Sequence, residues 1–224
     1  MRNSLLFLFI PLTLAAQSAG TPPRVLPAMA TAQLVKSLDA ARPQQSHVWR
    51  DTPPINPDGT INGYIEIPMG ETRKYEFDMT TNARRVDRVM PDTLGGYPIN
   101  YGYVPQTVSY DGDPFDILVL GPPLPGGRFV KGVAVGVMHM EDEKGLDSKV
   151  VVSPVDANGQ PIHALTAADQ KRVGDYFAKY KRHEPGKFSR VPGWGSAEEG
   201  IAFVKTTHEF FRACASIRGE CRLR

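Results

Sequence analysis

The residues best suited to chemistry are aspartates grouped in one short segment of the chain. Residues 110–121 carry Asp111, Asp113 and Asp116 directly before an apolar run. Carboxylates at such close spacing are typical ligands of hard divalent cations. Asp, Gly and Pro also make ordinary turns, so this segment alone is equally compatible with a plain hairpin loop. It is not an EF-hand, because the glycine after the third acidic position and the distant bidentate Glu are missing.

A second acidic segment has the same organisation. Residues 141–149 contain Asp142 and Asp147, and they follow the apolar residues 133–140. If the two segments converge, repulsion between their carboxylates raises several pKa values, so such a site requires divalent cations. Neither segment contains His or Cys, and all-oxygen ligands favour magnesium, manganese or calcium over zinc. Together the segments predict a multi-carboxylate metal site.

Basic and phenolic side chains elsewhere could bind an anion beside these metals. Taken singly, a Lys or Arg is more typical of a solvated surface, and a Tyr is more typical of a core. A phosphate-binding site is favoured only because such basic and phenolic side chains occur together with the two acidic segments. The candidates are Lys74, Arg88, Lys149, Lys181, Tyr97, Tyr101, Tyr103 and Tyr180.

Short strands and two helices must position these residues. Strand patterns separated by turn residues cover 64–68, 73–78, 84–90, 117–120, 128–140 and 149–152. Runs at such short intervals favour a small antiparallel barrel. After residue 164 the pattern becomes helical, and a final helix is predicted over 197–217. The predicted fold class is therefore α+β, a small antiparallel β-barrel of OB-like type with helices packed outside it.

The N-terminal part of the chain differs from the remainder. Arg2 precedes an apolar run over residues 5–16, and small residues follow, which is the order of a secretory signal peptide. The run is shorter than the roughly 20 residues of a membrane-spanning helix. We predict a signal peptide over 1–20, cleaved near 18–20, and a secreted or periplasmic protein with no membrane contact after cleavage. A Pro-rich extension with one short helix follows at 21–63, and the main domain covers 64–224.

The overall composition limits the classes of partner. The 224 residues are 41% hydrophobic and 22% charged, as in an ordinary globular protein. The formal net charge is only +2, and the chain lacks the dense basic stripe with interleaved aromatics that binds single-stranded nucleic acid. No nucleic-acid partner is predicted.

The first acidic segment and its flanks also resemble a known family. Asp111-Gly112-Asp113-Pro114-Phe115-Asp116 and the Ile-Leu-Val after it resemble the signature of the soluble, single-domain inorganic pyrophosphatases. The resemblance extends from about Glu66 to Lys187, and residues 47–51 resemble the segment before the barrel in longer members. Further motifs in the family's order are residues 64–68, 74–76, 86–88, 97–103, 135–137, 142–149, 180–181 and 186–187.

This resemblance implies a Mg²⁺-dependent enzyme that hydrolyses pyrophosphate to two phosphates, with residues 64–224 as its catalytic domain. Asp113 matches the residue that accepts the proton of the attacking water, and no covalent enzyme intermediate is implied. Glu66 matches a carboxylate that reaches a metal through water. The implied direct metal ligands are Asp111, Asp116, Asp142 and Asp147, with Asp116 bridging two metals. The implied phosphate-binding residues are Lys74, Arg88, Tyr101, Lys149, Tyr180 and Lys181.

Other interpretations of the same residues stay open at this point. The acidic segments could bind calcium in a secreted module without turnover. A barrel of oligonucleotide-binding type could recognise polyanions, although the missing basic stripe argues against it. A related phosphohydrolase could act on nucleotides or polyphosphate. Both a monomer and a homo-oligomer are compatible with the sequence.

The two cysteines, Cys214 and Cys221, lie near the C-terminus. If one helix contained both, their Cα atoms would be about 10.5 Å apart, beyond the about 7 Å limit for a disulfide. A bond therefore requires the helix to end between them, and Gly219 suits such an end because glycine readily takes the left-handed conformation. In an oxidising compartment we expect the pair to form a disulfide.

Overall fold

The computed structural model describes residues 21–215. The predicted signal peptide and Cys221 lie outside the described residues. Within the described part, no helix combines the length and the apolar character required to cross a bilayer. The helices are α1 (Ala28–Ala41), α2 (Val48–Asp51), α3 (Ala167–Phe177) and α4 (Ala197–Ala215). The strands are β1 (Ile61–Ile67), β2 (Arg73–Asp78), β3 (Ala83–Val89), β4 (Asn100–Tyr103), β5 (Asp116–Val119), β6 (Phe129–Asp142), β7 (Gly145–Leu146), β8 (Lys149–Pro154) and β9 (Ser189–Gly195).

The strands form one curled sheet and one separate hairpin. In the sheet the order is β1-β4-β5-β8-β6-β7, β9 pairs with β6, and β1 also pairs with the start of β6. These pairs are antiparallel except β5 with β8, which is parallel. Strands β2 and β3 form the hairpin. The predicted α+β fold of OB-like type is confirmed, with the parallel pair as a departure from an all-antiparallel barrel.

The apolar run of β8 shows that the sheet is covered on both faces. Val150, Val151 and Val152 are all fully buried. Val150 and Val152 belong to the core that contains Phe203 of α4, whereas Val151 belongs to the core that contains Phe177 of α3. Because successive side chains of a strand point to opposite faces, α4 and α3 cover β8 from opposite sides. The predicted packing of helices outside the sheet has this physical basis.

The helix predicted in the Pro-rich extension is α1, and it packs on the sheet. Leu34 and Ala41 are fully buried, and Ala30 is 1% exposed. These residues belong to the same core as Phe115, the residue before β5. Burial of a Leu side chain stabilises a fold by roughly 1.5–3 kcal/mol. The extension and the main domain therefore share one core.

Strands β4 and β9 were not predicted, because their composition is poor for strands. Strand β9 contains Pro192 and two glycines. Among the strands of residues 21–215 it pairs with β6 alone, so it tolerates a proline as an edge strand does. Strand β4 contains Gly102, where an added Cβ would lie 1.8 Å from the Tyr64 carbonyl oxygen. Close approach of β1 and β4 thus requires glycine, a residue type with low β-strand propensity, so the sequence pattern did not indicate a strand here.

Candidate active site

The sheet topology brings both acidic segments to one edge. Since β5 and β8 are parallel neighbours, Asp116 at the start of β5 and Asp147 just before β8 lie at the same edge. Strand β6 runs antiparallel to β8, so Asp142 at its end lies there too. Asp111 and Asp113 lie in the loop before β5. All five carboxylates line one cleft with a volume of about 350 Å³.

Most of the other predicted site residues also line this cleft. Glu66 comes from β1, Lys74 from β2 and Tyr101 from β4, while Tyr180 and Lys181 follow α3. Lys181 forms ion pairs with Asp142 and, at 3.1 Å, with Glu143. Of the tyrosines considered from sequence, Tyr103 lines the cleft as well. Tyr97 is 1% exposed and belongs to the core around α3.

Lys149 lies behind the wall of the cleft. Its side chain is 1% exposed, and its Nζ donates hydrogen bonds to Asp116 Oδ2 and, at 2.9 Å, to Asp147 Oδ1. Burial by itself would lower the pKa of Lys149, but the carboxylates of Asp116 and Asp147 raise it above its usual range. The ammonium group is therefore charged and holds the two acidic segments together.

Arg88 is the predicted phosphate-binding residue that neither lines the cleft nor contacts its predicted metal ligands. It lies opposite Lys74 in the β2–β3 hairpin. Its guanidinium donates to Asp87 Oδ2 and Glu184 Oε1, both at 2.8 Å. Its buried Nε has no hydrogen-bond partner within residues 21–215. Arg88 is thus the strand neighbour of Lys74, which lines the cleft, but its guanidinium binds Glu184 in the turn after α3.

Two of the aspartates hold protons more tightly than free carboxyl groups do. The side chain of Asp113 is 55% exposed, yet the surrounding protein restricts its hydration, and repulsion from Asp111 adds to this effect. Its pKa is raised to about 7. Asp147 is 8% exposed, and burial together with the carboxylate of Asp116, opposed by Lys149, raises its pKa to about 8. Near neutral pH both groups can accept or release a proton.

Glu66 and the two predicted tyrosines are buried beside these aspartates. Glu66 Oε1 accepts a 2.7 Å hydrogen bond from the Phe77 backbone N–H, and burial raises its pKa well above the usual value. Burial first, and the nearby carboxylates second, also raise the pKa values of Tyr101 and Tyr180. Both phenols therefore keep their protons at neutral pH and can donate hydrogen bonds.

The part of the chain that carries this cleft matches a known protein family. The match to the family described as inorganic pyrophosphatase covers residues 63–212. The chain belongs to the inorganic pyrophosphatase family. Membership confirms the predicted family, the predicted enzyme class and the predicted reaction, hydrolysis of pyrophosphate to two phosphates.

Individual inorganic pyrophosphatases agree with this assignment. The enzyme of Xanthomonas axonopodis pv. citri is 42% identical over 163 residues, which cover 69% of this chain and 91% of that protein. The enzyme of Sulfolobus acidocaldarius is 37% identical over 155 residues, or 66% of this chain and 89% of that protein. A crystal structure from Neisseria gonorrhoeae has a TM-score of 0.66 at 32% identity and covers 72% of this chain and 97% of the other. Helices α1 and α2 precede the family match.

A basic residue of this cleft was not predicted from the sequence. Lys144 lies in the second acidic segment, and its Nζ is 3.6 Å from Asp111 Oδ2 and 3.5 Å from Asp113 Oδ2. It therefore links the two acidic segments from the solvent side, while Lys149 links them from the buried side. The signal that could have revealed it is a lone Lys between two aspartates of one segment.

The donor set of the cleft fits a hard divalent cation. The aspartates and Glu66 offer oxygen donors only, which is the preference of magnesium. Among residues 21–215, no three acidic, His or Cys side chains already stand in a compact metal-binding arrangement. The ammonium groups of Lys144 and Lys149 instead balance the carboxylates. Divalent cations can balance the same carboxylate charges if the two lysines release these carboxylates and bind other anionic groups.

Proposed function

We propose that this cleft hydrolyses pyrophosphate with Mg²⁺ as the cofactor and Asp113 as the general base. The observation that carries the proposal is the meeting of five aspartates, from two distant segments, with lysines at one cleft. Acidic groups alone suit a cation, and basic groups alone suit an anion. Both together suit a substrate that binds as a metal complex of a polyanion.

Asp113 has the properties of a proton acceptor. Its side chain is more exposed to solvent than those of Asp111, Asp116, Asp142 and Asp147. Its pKa of about 7 matches the optimum for a general base at neutral pH. In our proposal it takes the proton of the attacking water, and the oxygen of that water forms the new bond to phosphorus. The bond between phosphorus and the bridging oxygen breaks, and the second phosphate leaves.

The remaining carboxylates would hold the metal. Asp111, Asp116, Asp142 and Asp147 are the proposed direct ligands, and Glu66 is proposed to act through water. Bound divalent cations lower the pKa of coordinated water and neutralise phosphate oxygens. Asp116 and Asp147 currently share the ammonium of Lys149. If these two carboxylates held a cation instead, the Lys149 ammonium would be available to a phosphate oxygen.

The phosphate-binding groups act by charge and by hydrogen bonding. Lys74, Lys149 and Lys181 would stabilise the negative charge of the leaving phosphate, and Tyr101 and Tyr180 would donate their hydroxyl protons. Arg88 has to leave Glu184 to join them. Its Nε, which has no hydrogen-bond partner in the described part of the chain, supports such a shift, because an unsatisfied buried donor costs free energy.

The decisive experiment compares phosphate release from pyrophosphate, ATP and polyphosphate, each with Mg²⁺ and with a chelator. We expect release from pyrophosphate only with Mg²⁺, and little release from ATP. Cation binding without phosphate release would contradict the proposal and identify a binding module. Preference for ATP or polyphosphate would identify a different phosphohydrolase.

Export of the protein belongs to the same proposal. The charged, apolar and small residues at the start of the chain support a signal peptide over 1–20, a Pro-rich extension over 21–63 and a catalytic domain over 64–224. N-terminal sequencing of protein purified from the native host should show a start near residues 19–21, in a secreted or periplasmic fraction. A mature protein that begins at Met1 would contradict export.

A further inference from the structure

Helix α1 of the Pro-rich extension forms part of the wall of the active-site cleft. Gln33, Lys36, Ser37 and Ala40 line the cleft together with the catalytic aspartates. Their spacing of three, four and seven residues places them on one face of the helix. This helix precedes residue 63, where the family match begins. The extension therefore adds a polar surface to a site otherwise built from the matched region.

The extension is held against the loop that carries Asp111 and Asp113. The Tyr110 hydroxyl donates a 2.6 Å hydrogen bond to the Pro23 carbonyl oxygen. At Gly112, an added Cβ would lie 2.6 Å from Gln33 Cβ and 3.1 Å from Ala30 Cα. Such close packing on both sides of Asp111 fixes α1 relative to the proposed base and metal ligands.

Ion pairing distinguishes Lys36 from the other cations of the cleft. Lys74 pairs with Glu76 at 2.7 Å, Arg85 with Asp78 at 3.4 Å, and Lys144 with Asp113 at 3.5 Å. Lys181 pairs with Asp142 and Glu143. Lys36 is exposed and forms no ion pair with any residue in the range 21–215. The basic residues lining the cleft are Lys36, Lys74, Arg85, Lys144 and Lys181.

We infer that Lys36 is a substrate-binding residue, supplied by the extension, that attracts and holds pyrophosphate at the mouth of the cleft. The other basic residues of the cleft must each break an ion pair with a carboxylate before they can bind the substrate. Lys36 can bind the anion without breaking an ion pair within residues 21–215. An ammonium group at the entrance of an acidic cleft also offsets the repulsion that a polyanion meets there. This inference rests on the proposed function of the cleft.

The test compares full-length Lys36→Met with Lys205→Met by steady-state kinetics at saturating Mg²⁺. Lys205 is a matched control, because it is also an exposed helical lysine and does not line the cleft. We expect Lys36→Met to raise KM for pyrophosphate about 5-fold, the upper range for an exposed charge pair, and to change kcat less than twofold. Lys36→Arg should retain a KM near that of the unmodified chain. The increase of KM with added salt should be weaker in Lys36→Met.

Binding of the non-hydrolysable analogue imidodiphosphate, measured by calorimetry, gives a second readout. Its Kd should rise by the same factor in Lys36→Met and stay unchanged in Lys205→Met. Equal KM and Kd values in the two variants would overturn the role of Lys36. A loss of kcat with unchanged KM would also overturn it, because it would assign α1 a purely structural role. Absence of hydrolysis by the unmodified chain would instead contradict the proposed function, and the calorimetric comparison would still decide on Lys36.

Discussion

Lys149 Nζ lies 2.9 Å from Asp147 Oδ1 in a side-chain environment that is almost closed to solvent. The two residues are only two positions apart, yet the same ammonium also contacts Asp116 from the other acidic segment. Burial of an ammonium group costs desolvation free energy unless carboxylates pair with its charge. Here the pairing holds the two halves of the site together before any substrate or metal binds.

Replacement of Asp113 by Asn tests the proposed base. Asn cannot accept the proton, so kcat should fall by about 10²- to 10⁴-fold, the usual contribution of a general base. Mg²⁺ binding, measured by calorimetry, should largely survive. Asp92→Asn is the control, because Asp92 is exposed and outside the cleft. Near-normal turnover in Asp113→Asn would show that another group is the base.

Asp116→Ala and Asp147→Ala test the proposed metal ligands. Each change should raise the Mg²⁺ concentration for half-maximal activity by at least about tenfold, an effect seen even when an outer partner of a metal is lost. Activity should be titrated with Mg²⁺ at saturating pyrophosphate, with Asp92→Ala as the control. An unchanged Mg²⁺ dependence would place these residues outside the metal site. Unfolding temperatures must be measured in parallel, since Lys149 loses a partner in both variants.

The raised pKa values predict how pH and Mg²⁺ together affect stability. Without metal, Asp113 and Asp147 have folded pKa values of about 7 and about 8, above the ordinary Asp value of 3.8. The folded state then binds more protons than the unfolded state, so this contribution to stability is complete below about pH 4 and is lost as pH rises through 7 to 8. Mg²⁺ removes the penalty for ionisation by pairing with the carboxylates.

Thermal unfolding at pH 6.0 and pH 8.5, with Mg²⁺ and with a chelator, measures this coupling. The increase in Tm on adding Mg²⁺ should be larger at pH 8.5 than at pH 6.0. Mixing the protein with Mg²⁺ near pH 7 should also release protons. An equal or larger increase at pH 6.0 would show that these carboxylates do not bind the cation.

We expect a disulfide bond between the two C-terminal cysteines at the end of α4. Cys214 is disulfide-bonded in the structure, and Cys221 lies outside the described residues. A bond between them closes a short loop, for which the chain-entropy model gives about 2.5 kcal/mol as an upper value. Intact-mass analysis, without reductant, of the protein purified from its native host should give a mass two hydrogens below the all-thiol value. Two freely alkylated cysteines would refute the bond.

Much of the fold was predictable because its signals are local. The strand Arg73–Asp78 was predicted with its observed bounds, and the one short helix predicted in the extension corresponds to Ala28–Ala41. Alternating or continuous apolar runs bounded by turn residues report burial without knowledge of the partner strand. Strands β4 and β9 escaped because glycine and proline serve contacts that only the assembled sheet creates.

For the site, the sequence by itself determined which residues could bind metal and phosphate. The aspartates are recognisable because they occupy two compact segments, and the order of the surrounding motifs identified the family. Only the tertiary structure decided how basic residues are distributed around them. It buries Lys149 between the segments, turns Arg88 toward Glu184 and sets α1 against the loop of Asp113. These relationships join residues far apart in the chain, and their geometry depends on strand register and helix packing, which short-range sequence patterns do not encode.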